Sequence, residues 1–169
     1  MDVVKKNIDD IGGNISIESA PGQGTTILIK IPLTLAIIDG MEVKVGKSKY
    51  TIPITSIRES FKVEQKNVIC DSNGNEMIMI RGQAYPVIRM HRIFGNNTNV
   101  TDLQEGIMIM VEGDAKTACL FGDELLGEQQ VVVKALPKYL KKVDGVAGCT
   151  ILGDGSISLI LDINSILDN

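Results

Sequence analysis

From residue 36 onward, apolar and polar positions alternate in short runs broken by Gly, Asp, Asn and Pro. The clearest case lies near the end of the chain. Ile157, Leu159 and Leu161 alternate with Ser158, Ile160 and Asp162, so one side is fully apolar and the other mixed, as in a half-buried strand. Gly153-Asp154-Gly155-Ser156 separates this run from residues 148–152. Asp-Gly between two apolar runs predicts a hairpin, because the turn needs positive φ and glycine supplies it without strain. The same grammar predicts strands over residues 36–45, 50–54, 76–81, 84–88, 106–111, 116–120 and 129–133. So many short strands with frequent turn signals indicate a sandwich or barrel. Residues 95–105 form the longest polar stretch and predict a mobile surface loop. Residues 137–142, opening on Pro137, predict one helical turn, and residues 162–167 another, capped by Asp162.

The first 31 residues read differently. Val4, Ile8 and Ile11 fall at helical spacing over residues 2–11, and Gly12-Gly13 stops the helix. Two strand-like runs, 14–19 and 25–31, flank Pro21-Gly22-Gln23-Gly24. A short helix and a two-stranded sheet are marginal alone in water. The segment therefore reads as the cut end of an α/β sandwich, joined to the β-rich remainder of the chain by the stiff connector Pro32-Leu33-Thr34-Leu35.

Composition narrows the chemistry. The 169 residues carry a net charge of −4 with no basic block, which argues against nucleic acid and anionic membranes as partners. No apolar run approaches the ~18 residues needed to span a bilayer, and the N-terminus lacks the order of a signal peptide. Cys70, Cys119 and Cys149 are dispersed and odd in number, which fits a reduced, cytoplasmic chain with buried thiols. A single histidine, His91, and these scattered cysteines make no zinc set. Asp71-Ser72-Asn73-Gly74-Asn75-Glu76 places its glycine fourth, not sixth as a calcium loop requires, and reads as a hairpin turn. No catalytic residue and no metal ligand is assigned. Met77, Met79, Met108 and Met110 alternate with isoleucines, so both sides of their strands are apolar. Such a strand is either buried on both faces, the simpler account, or keeps one face for a partner.

Longer stretches carry a resemblance. Gly12-Gly13-Asn14-Ile15, then residues 18–26 (Glu-Ser-Ala-Pro-Gly-Gln-Gly-Thr-Thr), then Ile31-Pro32-Leu33 resemble the final hairpin of the GHKL ATPase domain of sensor histidine kinases. Residues 32–41, Ile80-Arg81-Gly82 with Pro86-Val87, residues 125–134 (Leu-Leu-Gly-Glu-Gln-Gln-Val-Val-Val-Lys) and residues 147–155 resemble the CheA family of chemotaxis histidine kinases. Gln83, Gly122 and Ala135 depart from that family's usual pattern. The resemblance implies residues 1–32 as a remnant of the ATPase domain and residues 33–169 as a CheW-like regulatory domain. It implies a mainly β fold: two SH3-like five-stranded barrels, with the last hairpin returning to the first, preceded by a partial helix-plus-hairpin tail. It also implies cytoplasmic docking, at receptor arrays on the inner face of the membrane, to the adaptor CheW, to chemoreceptor tips and to the parent's own ATPase domain. ATP and magnesium belong to the parent kinase. Thr25 corresponds to an adenine-side position that is not functional alone. The docking residues expected are Ile54, Ile57 and Phe61 on the first barrel and Met77, Met79 and Met108 on the second. A stand-alone CheW-type adaptor and an ATP-binding fragment are the alternatives. The open strand edges of residues 14–31 predict pairing between two copies.

Overall fold

The computed structural model describes residues 2–10, 14–31, 37–136 and 143–168. The chain divides into two compact units, residues 1–36 and 37–169. The expected helical turn over residues 137–142, the Gly12-Gly13 stop and most of the connector lie outside the described residues.

In the first unit a helix, α1 (Asp2–Asp10), precedes the antiparallel hairpin β1 (Asn14–Ala20) and β2 (Gly24–Lys30). Ile8 is buried, as the helical spacing predicts, while Val3 and Val4 are exposed. The hairpin register pairs Ile15 with Ile29 and Ile17 with Ile27, so four isoleucines share one face. Gly22 and Gly24 take positive φ at the turn, where glycine carries no steric cost.

Among the described residues the second unit holds eleven strands. In order they are β3 (Ile37–Val45), β4 (Ser48–Pro53), β5 (Ile57–Phe61), β6 (Val68–Cys70), β7 (Glu76–Ile80), β8 (Gln83–Arg89), β9 (Ile107–Glu112), β10 (Thr117–Gly122), β11 (Glu124–Val132), β12 (Val146–Ile151) and β13 (Ile157–Leu161). Short helices α2 (Met90–Ile93) and α3 (Ile163–Leu167) follow β8 and β13. Asp162 caps α3, its carboxylate accepting from the Ser165 amide at 3.2 Å.

The strands form one sheet of five, ordered β11-β3-β4-β13-β12, and one of six, ordered β5-β9-β10-β8-β7-β6. The terminal hairpin does return to the first sheet, where β13 lies parallel to β4. Two five-stranded barrels are not what the chain builds. The second sheet has six strands, because residues 57–61 cross over after a 3-10 turn and pair with β9 instead of staying with β3 and β4. Among the described residues, neither sheet is closed by a ladder between its edge strands. In the first, the edges meet in a single bridge, Lys134 to Cys149, with N···O distances of 2.8 and 2.9 Å.

Alternation sorts the side chains into three cores. Val43, Val45, Tyr50, Ile52 and Leu161 of the first sheet meet Ile109, Val111, Ala118 and Leu120 of the second, with α3 supplying Ile163, Ile166 and Leu167. On the other face of the second sheet, Met108, Met110, Cys119 and Phe121 pack with Ile78, Val63 and Leu103. On the other face of the first, Val131, Leu152 and Ile160 form a smaller cluster beside Ile38 and Val133. β9 and β10 are therefore central strands buried on both faces, which accounts for the methionine–isoleucine alternation without a partner.

Residues 95–105 are tethered, not loose. Leu103 is 5% exposed in the second core, Arg89 Nη1 donates to the Thr101 carbonyl (2.6 Å) and Asn96 Nδ2 donates to the Tyr50 hydroxyl (2.6 Å). The polar composition that suggested mobility instead supplies the tethers.

Candidate docking surfaces

The expected docking residues fall into three environments. Ile54 opens the 3-10 turn and is half-buried. Ile57 and Phe61 are half-buried on β5, an edge of the six-stranded sheet, not on the first sheet where they were expected. Ile57 packs on the core between the sheets and Phe61 on the second core. Met108 has no exposed surface and is a core residue. A contact residue needs surface to offer, and β9 spends both faces inside the fold, so Met108 is removed from the docking set.

Met77 and Met79 are placed differently. Ile78 between them is 1% exposed in the second core, so alternation turns both methionines to the opposite face of β7. Met79 is 37% exposed and Met77 half-buried. Across the sheet, Met77 pairs with Ile69 on β6 and Pro86 on β8, and Met79 with Ala84. Ile69 is 38% exposed and Pro86 is exposed as well. The result is an outward apolar face three strands wide, centred on two adaptable thioethers. Sequence periodicity found the methionines. It missed Ile69 and Pro86, because β6 is only three residues long and carries no alternation of its own.

A second surface feature stands beside these strands. The β7–β8 turn places Arg81 at φ 50° and Gly82 at φ 84°. Arg81 is the only described non-glycine residue with positive φ, a conformation that costs a side-chain-bearing residue about 1–3 kcal/mol. Its side chain, 83% exposed, reaches Glu59 of β5 at 3.1 Å. The Arg-Gly pair between two strand runs signals the turn, but not the reach across to β5.

Charged pairs frame the second sheet. Arg89 lies 9% exposed and holds Glu76 with two guanidinium bonds, 2.6 and 2.8 Å, while its plane sits 5.3 Å from the Phe121 ring centre. The Arg89 bond holds the Glu76 carboxyl below its ordinary range, against the opposing effect of burial. Burial pushes the Cys119 thiol up to about 12, so it is an inert core group. Burial, then Arg89 and Arg92, lowers the His91 pKa, which favours the neutral ring. In the first unit Thr25 is exposed on β2, and its hydroxyl shares a 2.9 Å hydrogen bond with Ser19. Among the described residues no group of His, Cys, Asp or Glu is arranged to hold a metal, and no helix is long and apolar enough to cross a membrane.

Two sheets sharing a core, the first completed by the last hairpin of the chain, with apolar faces turned outward, define a β-structured interaction module. The family model of the CheW-like domain matches residues 39–169, and the chain belongs to that family. It is 39% identical over 166 residues to the chemotaxis protein CheA of Klebsiella aerogenes, covering 98% of this chain and 26% of that protein. It is 36% identical to CheA of Bacillus subtilis, with coverages of 99% and 25%. The sensor histidine kinase CheAY of Helicobacter pylori is also 36% identical, with coverages of 99% and 21%. The chain thus spans about a quarter of the length of the curated relatives it matches. These alignments include the first unit, which the family model does not. Among solved structures, the scaffolding protein TtCheW of Thermoanaerobacter tengcongensis superposes with a TM-score of 0.64 at 18% identity, covering 74% of this chain and 88% of that one. That likeness speaks for the fold.

Proposed function

We propose that this chain is the regulatory docking module of a chemotaxis histidine kinase. It binds the adaptor CheW and chemoreceptor tips through apolar sheet faces and passes their state to an ATPase domain of the same kinase. In this reading it is non-catalytic and works in the cytoplasm at receptor arrays. Residues 1–32 are the end of a GHKL ATPase domain, and ATP and magnesium bind elsewhere in the parent kinase. The observation that carries the reading is the outward face of Met77, Met79, Ile69 and Pro86 on a CheW-like fold whose cores are already filled. A contact of this type buries on the order of 800 Å² per partner, with a few apolar anchors dominating. Ile54, Ile57 and Phe61 supply a second contact at the β5 edge, beside the Arg81–Glu59 pair. The open edges of β1 and β2 supply a weaker self-association through residues 14–31.

Calorimetric titration with CheW and with a receptor-tip fragment tests the reading. Met79→Lys is expected to weaken CheW binding at least ~10-fold while leaving the melting temperature unchanged, since it places a charge in a desolvated contact. Wild-type protein that binds neither partner would refute it.

A further inference from the structure

A cleft of about 860 Å³ opens where the two sheets of the second unit meet, and none of its lining residues belongs to the docking faces above. Its apolar wall is Val100, Ile107 and Leu125, all half-buried. Lys44, Lys47 and Lys62 line it as well. The acidic side chains of the lining do not cancel these lysines. Asp123 is used internally: one carboxylate oxygen accepts from the Gly46 amide at 2.7 Å and from the Thr98 hydroxyl at 2.5 Å. Glu124 stands 4.0 Å from Lys44, at the limit of an ion pair. Among the described residues neither Lys47 nor Lys62 has a carboxylate partner, and Glu105 is left as the one opposing charge. The Asp123 clasp joins the β3–β4 turn to the 95–105 loop, and Gly46 has no room for a Cβ against the Asn97 carbonyl. The cleft is therefore held in shape from both sheets before anything enters it.

An apolar wall beside two unpaired ammonium groups, on a chain whose net charge is −4, is a local inversion of the protein's own field. We propose that this cleft binds an acidic segment of a partner protein, with an apolar side chain seated on Val100, Ile107 and Leu125 and carboxylates facing Lys47 and Lys62. The volume suits a short stretch of chain, and the charge selects glutamate- or aspartate-rich sequence. Because its walls come from both sheets, an occupant would also brace one against the other.

The experiment is an amide NMR titration of the protein with a short synthetic glutamate–leucine peptide and its glutamine–leucine counterpart. The expected result is saturable shifts at residues 47, 62, 100 and 107 with the acidic peptide only, weakening several-fold as salt rises. Lys47→Glu combined with Lys62→Glu is expected to cost ~10-fold in affinity, while Lys116→Glu, outside the cleft, leaves it unchanged. All three lysines are exposed, so the spectra of the variants report that the fold is kept. Equal binding of the glutamine peptide, shifts centred on Met77 and Met79, unchanged affinity in the double variant, or no saturable shift would each overturn the proposal.

Discussion

Two antiparallel strand pairs in this chain, β9–β10 and β1–β2, have similar patterns and opposite surroundings. Both are six or seven residues per strand, in unbroken register. In β9–β10, residues 108–111 and 118–121 are all buried, with one face on each of two cores. In β1–β2 every residue but Ile15 is exposed, including Ile17, Ile27 and Ile29 at 45–52%. Apolar alternation specifies that a strand pair forms. It does not specify whether anything covers it, because that depends on elements far away in sequence. The β9–β10 pair carries the second unit, whereas the hairpin adds little net stability as it stands.

The contrast can be broken by substitution. Leu120→Ala in β10 is expected to cost ~2–5 kcal/mol in urea unfolding, through lost transfer energy and a cavity between the sheets. Ile27→Ala in β2 is expected to change stability by less than ~0.5 kcal/mol, because half of its surface already faces water. Comparable losses at the two sites would show that the hairpin is covered in solution.

Next in size is the Arg89–Glu76 pair, which closes the rim of the second core over Phe121. The folded Glu76 pKa lies below its unfolded value of ~4.3, so the pair stabilises fully above that value and the contribution is lost as pH falls through the folded pKa. Glu76→Gln is expected to cost on the order of 1 kcal/mol at pH 7 and to flatten the acid limb of a stability–pH curve below pH ~4. An acid limb as steep as that of the wild type would assign it to other carboxylates.

The smallest effect has the opposite sign. Glu42 is 8% exposed on β3, and its Oε1 is buried with no hydrogen-bond partner among the described residues. Its neighbours on the same face include Thr51 and Ser158, which satisfy each other through a 2.8 Å hydroxyl bond. Glu42→Met is expected to raise the unfolding midpoint by the equivalent of ~1 kcal/mol, since an apolar side chain of similar length leaves no unpaired oxygen. A loss of stability there would mean that the carboxylate is satisfied in solution, and that this face of the first sheet is better paired than its geometry shows.

Much of this was legible from one dimension. The α1 spacing, the Asp154-Gly155 hairpin, the Asp162 cap and most strands of the second unit follow from local rules, since turn chemistry and side-chain period act over a few residues. The docking faces were legible only in part. The methionine pattern drew attention equally to Met79, on the surface, and Met108, at the centre of a core, because alternation says which residues share a face and not where that face points. Ile69 on a three-residue strand, the positive φ of Arg81 and its reach to Glu59 left no periodic trace.

What the amino-acid order determined by itself is the alphabet of short strands and turns, the absence of a basic or membrane-spanning stretch, and the resemblance that the CheW-like family match supports. Tertiary structure alone decided that β5 crosses to the second sheet, that β9 and β10 are enclosed on both faces, and that Met77 and Met79 remain outside. The physical reason is range. Propensity and turn geometry act between neighbours in the chain, whereas burial is settled by contacts such as Phe61 on Met108 and Tyr50 on Leu159, between residues the sequence holds far apart.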